Sequence, residues 1–141
     1  MKRSLRDKWV ARLRSLQHHH QTKALFNSIQ NLSAVVAKAR EVGDDTRCCS
    51  LGALLVVAGY PPDMHNMLST NDILEGYLGL EASISDEFKE YLTTRYPEHI
   101  GNENLTMSEA IIALNDKVML PPAEIADLIE KFVTVTVDEP L

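Results

Sequence analysis

Cysteine is scarce in this chain of 141 residues: there are two, and they are neighbours, Cys48 and Cys49. A disulfide between adjacent residues strains the backbone, and a secreted framework uses separated pairs. The thiols are therefore expected to stay reduced, as in a cytoplasm. The adjacent pair also lacks the spacing of a C-x-x-C redox motif or of a zinc site.

Long apolar runs are missing too. The longest, residues 51–60, is interrupted by Gly52 and Gly59 and is shorter than the roughly 18 residues that cross a bilayer. The basic residues at the start are not followed by the apolar stretch of a secretory signal. We therefore expect a cytoplasmic protein without a membrane partner.

Catalytic motifs are also absent from the sequence. It contains no G-x-S-x-G, no H-E-x-x-H and neither of the glycine-rich phosphate-binding loops. The consecutive histidines 18–20 cannot all point at one metal ion. The prediction is a protein that is not an enzyme, with no catalytic residue, no metal site and no cofactor.

Hydrophobic residues make up 45% of the chain, enough for an ordinary core in one domain. Their helical spacing predicts a mainly α fold, a single compact domain of six or seven short helices. Within residues 1–141 we distinguish a basic first helix at 4–16, a core at 23–133 and a strand-like tail at 134–141. The β-branched residues 134–137 predict a short strand, whose partner would be a second copy, a target or a strand near 18–26.

Individual helices follow from apolar stripes and capping residues. Leu5, Trp9 and Leu13 form the stripe of the first helix, which places Trp9 in the core. Ser85 is a predicted N-cap, and Thr106 with Glu109 forms a predicted capping box. The remaining helices are predicted at 23–41, 47–58, about 71–79 and 124–132.

Charge is divided along the chain. Residues 1–47 hold ten Lys/Arg and four acids, a net charge of +6, whereas residues 48–141 hold four Lys/Arg and sixteen acids, a net charge of −12. The favoured interpretation is that the two parts face each other within the fold.

Two charged helices are nevertheless candidate binding surfaces. The candidates for binding nucleic acid or an acidic partner are Arg3, Lys8, Arg12 and Arg14. The candidates for an acidic partner-binding face are Glu124, Asp127 and Glu130. The last two helices have the outline of a helix-turn-helix, but these acids would repel phosphates, so DNA contact there is disfavoured.

Three short phrases stand out. They are Lys8-Trp9-Val10-Ala11-Arg12-Leu13-Arg14-Ser15, Cys48-Cys49-Ser50-Leu51-Gly52-Ala53-Leu54, and Leu114-Asn115-Asp116 followed by residues 124–130. Together they resemble a family of small proteins encoded by tailed phages and prophages. The chain departs from that pattern at Ser50, which follows the cysteine pair, and at residues 117–122, which replace a glycine-containing turn.

The resemblance implies a phage gene product in the cytoplasm of a bacterial host, with the virion as an alternative location. The motif Cys48, Cys49 and Gly52 is interpreted as structural, with redox or nucleophilic chemistry as the alternative. The predicted function is that of a non-enzymatic accessory protein that binds a host macromolecule, for example as an inhibitor of host defence. The alternatives are a nucleic-acid-associated regulator that uses the basic first helix, and a minor virion or assembly component. A homodimer through the apolar stripe Leu25–Ala39 is a further alternative.

Overall fold

Helices dominate the computed structural model, which describes residues 1–15, 49–58, 72–100 and 104–136. These residues form α1 (Arg3–Ser15), α2 (Ser50–Ala58), a π-helical segment π1 (Asp72–Tyr77), α3 (Asp86–Arg95), α4 (Met107–Asp116) and α5 (Pro122–Phe132). The predicted mainly α fold is confirmed. The predicted helix at 23–41, with its apolar stripe, lies outside the described residues, as do Cys48 and the histidines 18–20.

The first helix supplies the largest core side chain. Trp9 is 0% exposed, and Val10 and Leu13 beside it are also buried. Through this face α1 packs against α2 and α5. The prediction that Trp9 belongs to the core is confirmed, because a helix that presents an apolar stripe must bury it against a neighbour.

The second helix lies inside this framework. It carries no charged residue, and Leu51, Ala53 and Leu54 are buried while Val56 and Val57 are half-buried. Apolar residues on most sides of a helix indicate a central position in the fold. α4 packs against both α2 and α5, so α2 is enclosed between the first and the fourth helices.

Two predicted helix starts are present as expected. The Ser85 hydroxyl accepts a hydrogen bond from the Phe88 N–H at 3.1 Å. The Thr106 hydroxyl accepts from the Glu109 N–H, and the Glu109 carboxylate accepts from the Thr106 N–H, both at 3.1 Å. These bonds satisfy N–H groups that a helix leaves unpaired at its first turn. α5 begins earlier than predicted, with Pro122 in its first turn.

In the turn between α4 and α5, a methionine adopts a backbone conformation that favours glycine. Met119 has φ of 59° and its side chain is 59% exposed. Backbone in this left-handed region is costly for a residue with a Cβ, by about 1–2 kcal/mol. Hydrogen bonds from Val118 N–H to the Ala113 carbonyl and from Leu120 N–H to the Leu114 carbonyl, both 3.0 Å, hold the turn in place.

Both ends of the described chain meet beside π1. Thr136 forms a parallel β-bridge with Lys2, in which the Thr136 N–H donates to the Met1 carbonyl at 2.8 Å. Gly79 has φ of +71°, and a Cβ there would lie 3.1 Å from the Met1 backbone. Among the described residues, the tail predicted as a strand thus makes this isolated bridge and no longer ladder. A pairing with 18–26 lies outside the described residues.

Replacing Thr106 by alanine removes the hydroxyl that accepts from the Glu109 N–H, and leaves the backbone N–H of residue 106 to donate to the Glu109 carboxylate. We expect the Thr106→Ala variant to lose about 1 kcal/mol of unfolding free energy, measured by urea denaturation. Thr94→Ala is the matched control, because Thr94 is exposed within α3 and alanine favours a helix. Equal stability of the two variants would contradict the role given to this cap.

Candidate functional site

The three sequence phrases meet at a buried hydrogen-bonded junction. The Trp9 indole Nε1–H donates to the Ser50 carbonyl at 2.8 Å. The Ser50 N–H and hydroxyl both donate to the Asn115 side-chain Oδ1 at 3.2 Å. The Asn115 Nδ2 donates to the Asp116 carboxylate at 2.8 Å. The junction therefore links α1, α2 and α4 through one residue from each.

Burial gives these bonds their importance. Ser50 is 1% exposed and Asn115 is 5% exposed. A buried polar group without a partner costs about 1–3 kcal/mol, so each member of the junction depends on the others. Ser50 is thus a connecting residue, since it bonds both to Trp9 and to Asn115.

Cys49 lies next to this junction, and its surroundings disfavour a reactive thiolate. It is 6% exposed, and its Sγ accepts a hydrogen bond from the Gly52 N–H at 3.5 Å. Burial raises the pKa of the Cys49 thiol from 9.0 to about 11. A reactive cysteine needs a thiolate near neutral pH, so these features favour the structural interpretation of Cys49 over the redox or nucleophilic one.

A pocket of about 110 Å³ opens beside the junction, between α2 and α4. The residues that line it are Cys49, Ser50, Leu51, Ile111, Ile112, Asn115 and Asp116. Its lining is mostly apolar, and Ile112 within that lining is 42% exposed. An apolar cavity of about 150 Å³ holds benzene, so this pocket has room for one aliphatic side chain.

The predicted basic and acidic candidates are partly brought together. Arg14 Nη2 lies 2.8 Å from the Asp127 carboxylate and 3.2 Å from the Glu130 carboxylate. Hydrogen bonds to Glu130 and then to Asp127 raise the pKa of Arg14. For these residues the charges face each other within the fold, as the charge division along the chain indicates. These side chains are exposed, and an exposed ion pair adds little to the stability of a fold because water and salt screen it.

The other basic candidates lie apart. Arg3 and Lys8 are exposed, and Arg12 is half-buried. With 3.6 residues per turn, Lys8 and Arg12 lie on one flank of α1, whereas Arg3 and Arg14 lie on the other. The four cations therefore do not form one continuous stripe. Glu124, on α5, is exposed.

Arg6 also contacts α5, and the sequence analysis did not predict this contact. Its Nη1 donates to the Glu130 backbone carbonyl at 3.4 Å, in the last turn of α5, and its Nη2 lies 3.1 Å from the Asp7 carboxylate. Cations are favourable where helix carbonyls lack partners. The available signal was the spacing of eight residues between Arg6 and Arg14, which places both on the side of α1 that faces α5.

A second concave surface lies between α3 and α5. This groove has a volume of about 560 Å³ and is lined by Glu87, Glu90, Tyr91, Thr94, Arg95, Lys131 and Phe132. Phe132 stacks on buried Phe88 with ring centroids 4.5 Å apart. The Lys131 Nζ lies 5.2 Å from the Phe132 ring centroid and 5.8 Å from that of Tyr91, within cation–π range. The two walls of the groove come from α3 and α5, so the sequence pattern of neither helix alone predicts it.

The described residues hold no cluster of three or more His, Cys, Asp or Glu side chains suited to a metal ion. In the same part of the chain, no helix has both the length and the apolar character needed to cross a bilayer. Comparisons with protein-family models, curated proteins and solved structures found no match.

The burial of Cys49 predicts a protected thiol. In a Cys48→Ala variant, Cys49 is the remaining cysteine, and we expect it to react with a disulfide reagent at pH 8 at least tenfold more slowly in the folded than in the urea-unfolded protein. Equal rates in the two states would show that the thiol is accessible and ionised.

The raised pKa also predicts a pH dependence. A protonated thiol is favoured in the folded state, so its stabilising contribution is present below pH 9 and is lost as the pH rises towards 11. The unfolding free energy of the Cys48→Ala variant should therefore fall more steeply between these pH values than that of the Cys48→Ala/Cys49→Ala variant. Parallel curves from urea titrations would contradict this assignment.

Proposed function

We propose that this protein is a non-enzymatic accessory protein, encoded by a tailed phage or prophage, that binds a host protein through the pocket between α2 and α4. The observation that carries the proposal is the exposed Ile112 beside a preformed apolar pocket. Pockets of this kind accept the anchor residues that dominate protein–protein binding energy.

The pocket is held by rigid surroundings. Its inner wall contains Ser50 and Asn115, whose hydrogen bonds fix α2 against α4. A binding site whose walls do not rearrange loses less conformational entropy on association. Half-buried Asp116 lies among the lining residues and offers a carboxylate acceptor. The partner side chain that fits is aliphatic, next to an N–H or cationic donor.

The biological setting of the proposal comes from the phage-like pattern of the sequence. A phage protein that binds a host protein in the bacterial cytoplasm would act on host defence or on a host-takeover factor. The nucleic-acid alternative has weaker support, because Arg14 is engaged with α5 and the basic residues of α1 are divided between two flanks. No described contact favours the virion alternative.

An affinity pull-down from the bacterial host tests this proposal. We expect the tagged wild-type protein to retain one stoichiometric host protein at low and at moderate salt, because apolar contacts are not screened by ions. Ile112→Glu should lose that protein. Ala123→Glu should retain it, since Ala123 is exposed on α5 and is not among the residues that line the pocket.

Other results of the pull-down would overturn the proposal. Retention of the same host protein by Ile112→Glu would place the contact elsewhere on the surface. Release by moderate salt would indicate a charge-driven contact through acidic residues. Nucleic acid alone would favour the regulator, and phage structural proteins alone would favour the virion component.

A further inference from the structure

One face of α3 carries charged side chains of opposite sign at its two ends. Glu87, Tyr91 and Arg95 are spaced by four residues, so they lie above one another on the same side of the helix. The order along the helix is acid, aromatic, base. This face forms one wall of the groove, and the other wall comes from Lys131 and Phe132 at the end of α5.

Glu87 and Arg95 are both exposed, and the Arg95 guanidinium also hydrogen-bonds the Tyr96 side chain, a contact that raises the pKa of Arg95. Within the described part of the chain, neither Glu87 nor Arg95 has a carboxylate or cation within ion-pair distance. Eight residues of helix separate them by about 12 Å, too far for a mutual ion pair. Glu90, exposed at the same wall, likewise has no ion-pair partner among these residues.

The charges on this face of α3 are complementary to those of an identical face that runs in the opposite direction. If a second α3 lies antiparallel to the first, with a two-fold axis at Tyr91, then Glu87 of each copy faces Arg95 of the other. A parallel arrangement would instead place Glu87 against Glu87 and Arg95 against Arg95. We propose that the groove between α3 and α5 is occupied by a second copy of this chain, which forms a symmetric homodimer with antiparallel α3 helices.

The centre of such an interface is aromatic. The Tyr91 ring is half-buried and lies 5.6 Å from the Phe132 ring centroid, under the Lys131 ammonium. A two-fold axis at this position brings the Tyr91 rings of the two copies together. Aromatic residues at the centre with charged pairs around them are the usual composition of protein interfaces.

The dimer is expected to be weak and reversible. One groove and one short helix face per copy form an interface at the low end of the size range of specific complexes. We therefore expect a dissociation constant in the micromolar range that rises with salt, because the outer contacts are ion pairs. The groove-lining residues belong to α3 and α5, so the dimer goes beyond the proposed host contact at α2 and α4.

Reversing the charges of Glu87 and Arg95 tests the antiparallel orientation of the two α3 helices. In sedimentation equilibrium at low salt, the wild type should pass from monomer to dimer as its concentration rises. Glu87→Arg alone and Arg95→Glu alone should each weaken the dimer at least tenfold, because each places two pairs of like charges across the axis. An equimolar mixture of these two variants should regain a dimer, since positions 87 and 95 then carry opposite charges across the axis.

Two further variants complete the test. Glu87→Arg/Arg95→Glu should also regain the dimer, and Lys117→Glu should dimerise like the wild type, because Lys117 is exposed and is not among the groove-lining residues. Circular dichroism checks that each variant keeps its helices. A wild type that stays monomeric at millimolar concentration overturns the proposal, as does a dimer unaffected by the single reversals or not rescued by the mixture.

Discussion

The hydrogen bonds that join Trp9, Ser50 and Asn115 are the constraint on which the rest of the structure depends. Hydrophobic contact alone would let α1, α2 and α4 slide past one another, because it has no direction. Each of these bonds has a direction, and each joins buried groups for which a lost partner is costly. The observed arrangement of the three helices satisfies all of them, and it also shapes the pocket beside Asn115.

The same packing decides what the strong charge division means. α1 carries the excess of basic residues and lies against α5, so Arg14 meets Asp127 and Glu130, while Arg6 reaches the last turn of the same helix. These contacts neutralise part of the positive charge of α1 within the protein. The surface left for partners is therefore less basic than the sequence indicates.

The features that the sequence could predict depend on residues that lie close together in the chain. A capping box involves two residues three positions apart, and the Trp9 stripe repeats within one helix, so both were visible without the fold. The bond between Ser50 and Asn115 joins residues 65 positions apart, and nothing near Ser50 indicates it. The groove was missed for the same reason, because one wall is on α3 and the other on α5. The positive φ of Met119 was not predicted either, because residues 117–122 contain no glycine that would indicate a left-handed turn.

The two surfaces suggest how a small protein can bind firmly. Burying one aliphatic side chain in the pocket beside Ile112 contributes about 1.5–3 kcal/mol, which is far less than a stable complex needs. A dimer through α3 would carry two such pockets on one particle. If the host protein is itself oligomeric, the second contact becomes intramolecular, and avidity can exceed the single-site affinity by about 10²–10⁴. Weakening the dimer by Arg95→Glu would then weaken retention of such a host protein without touching the pocket.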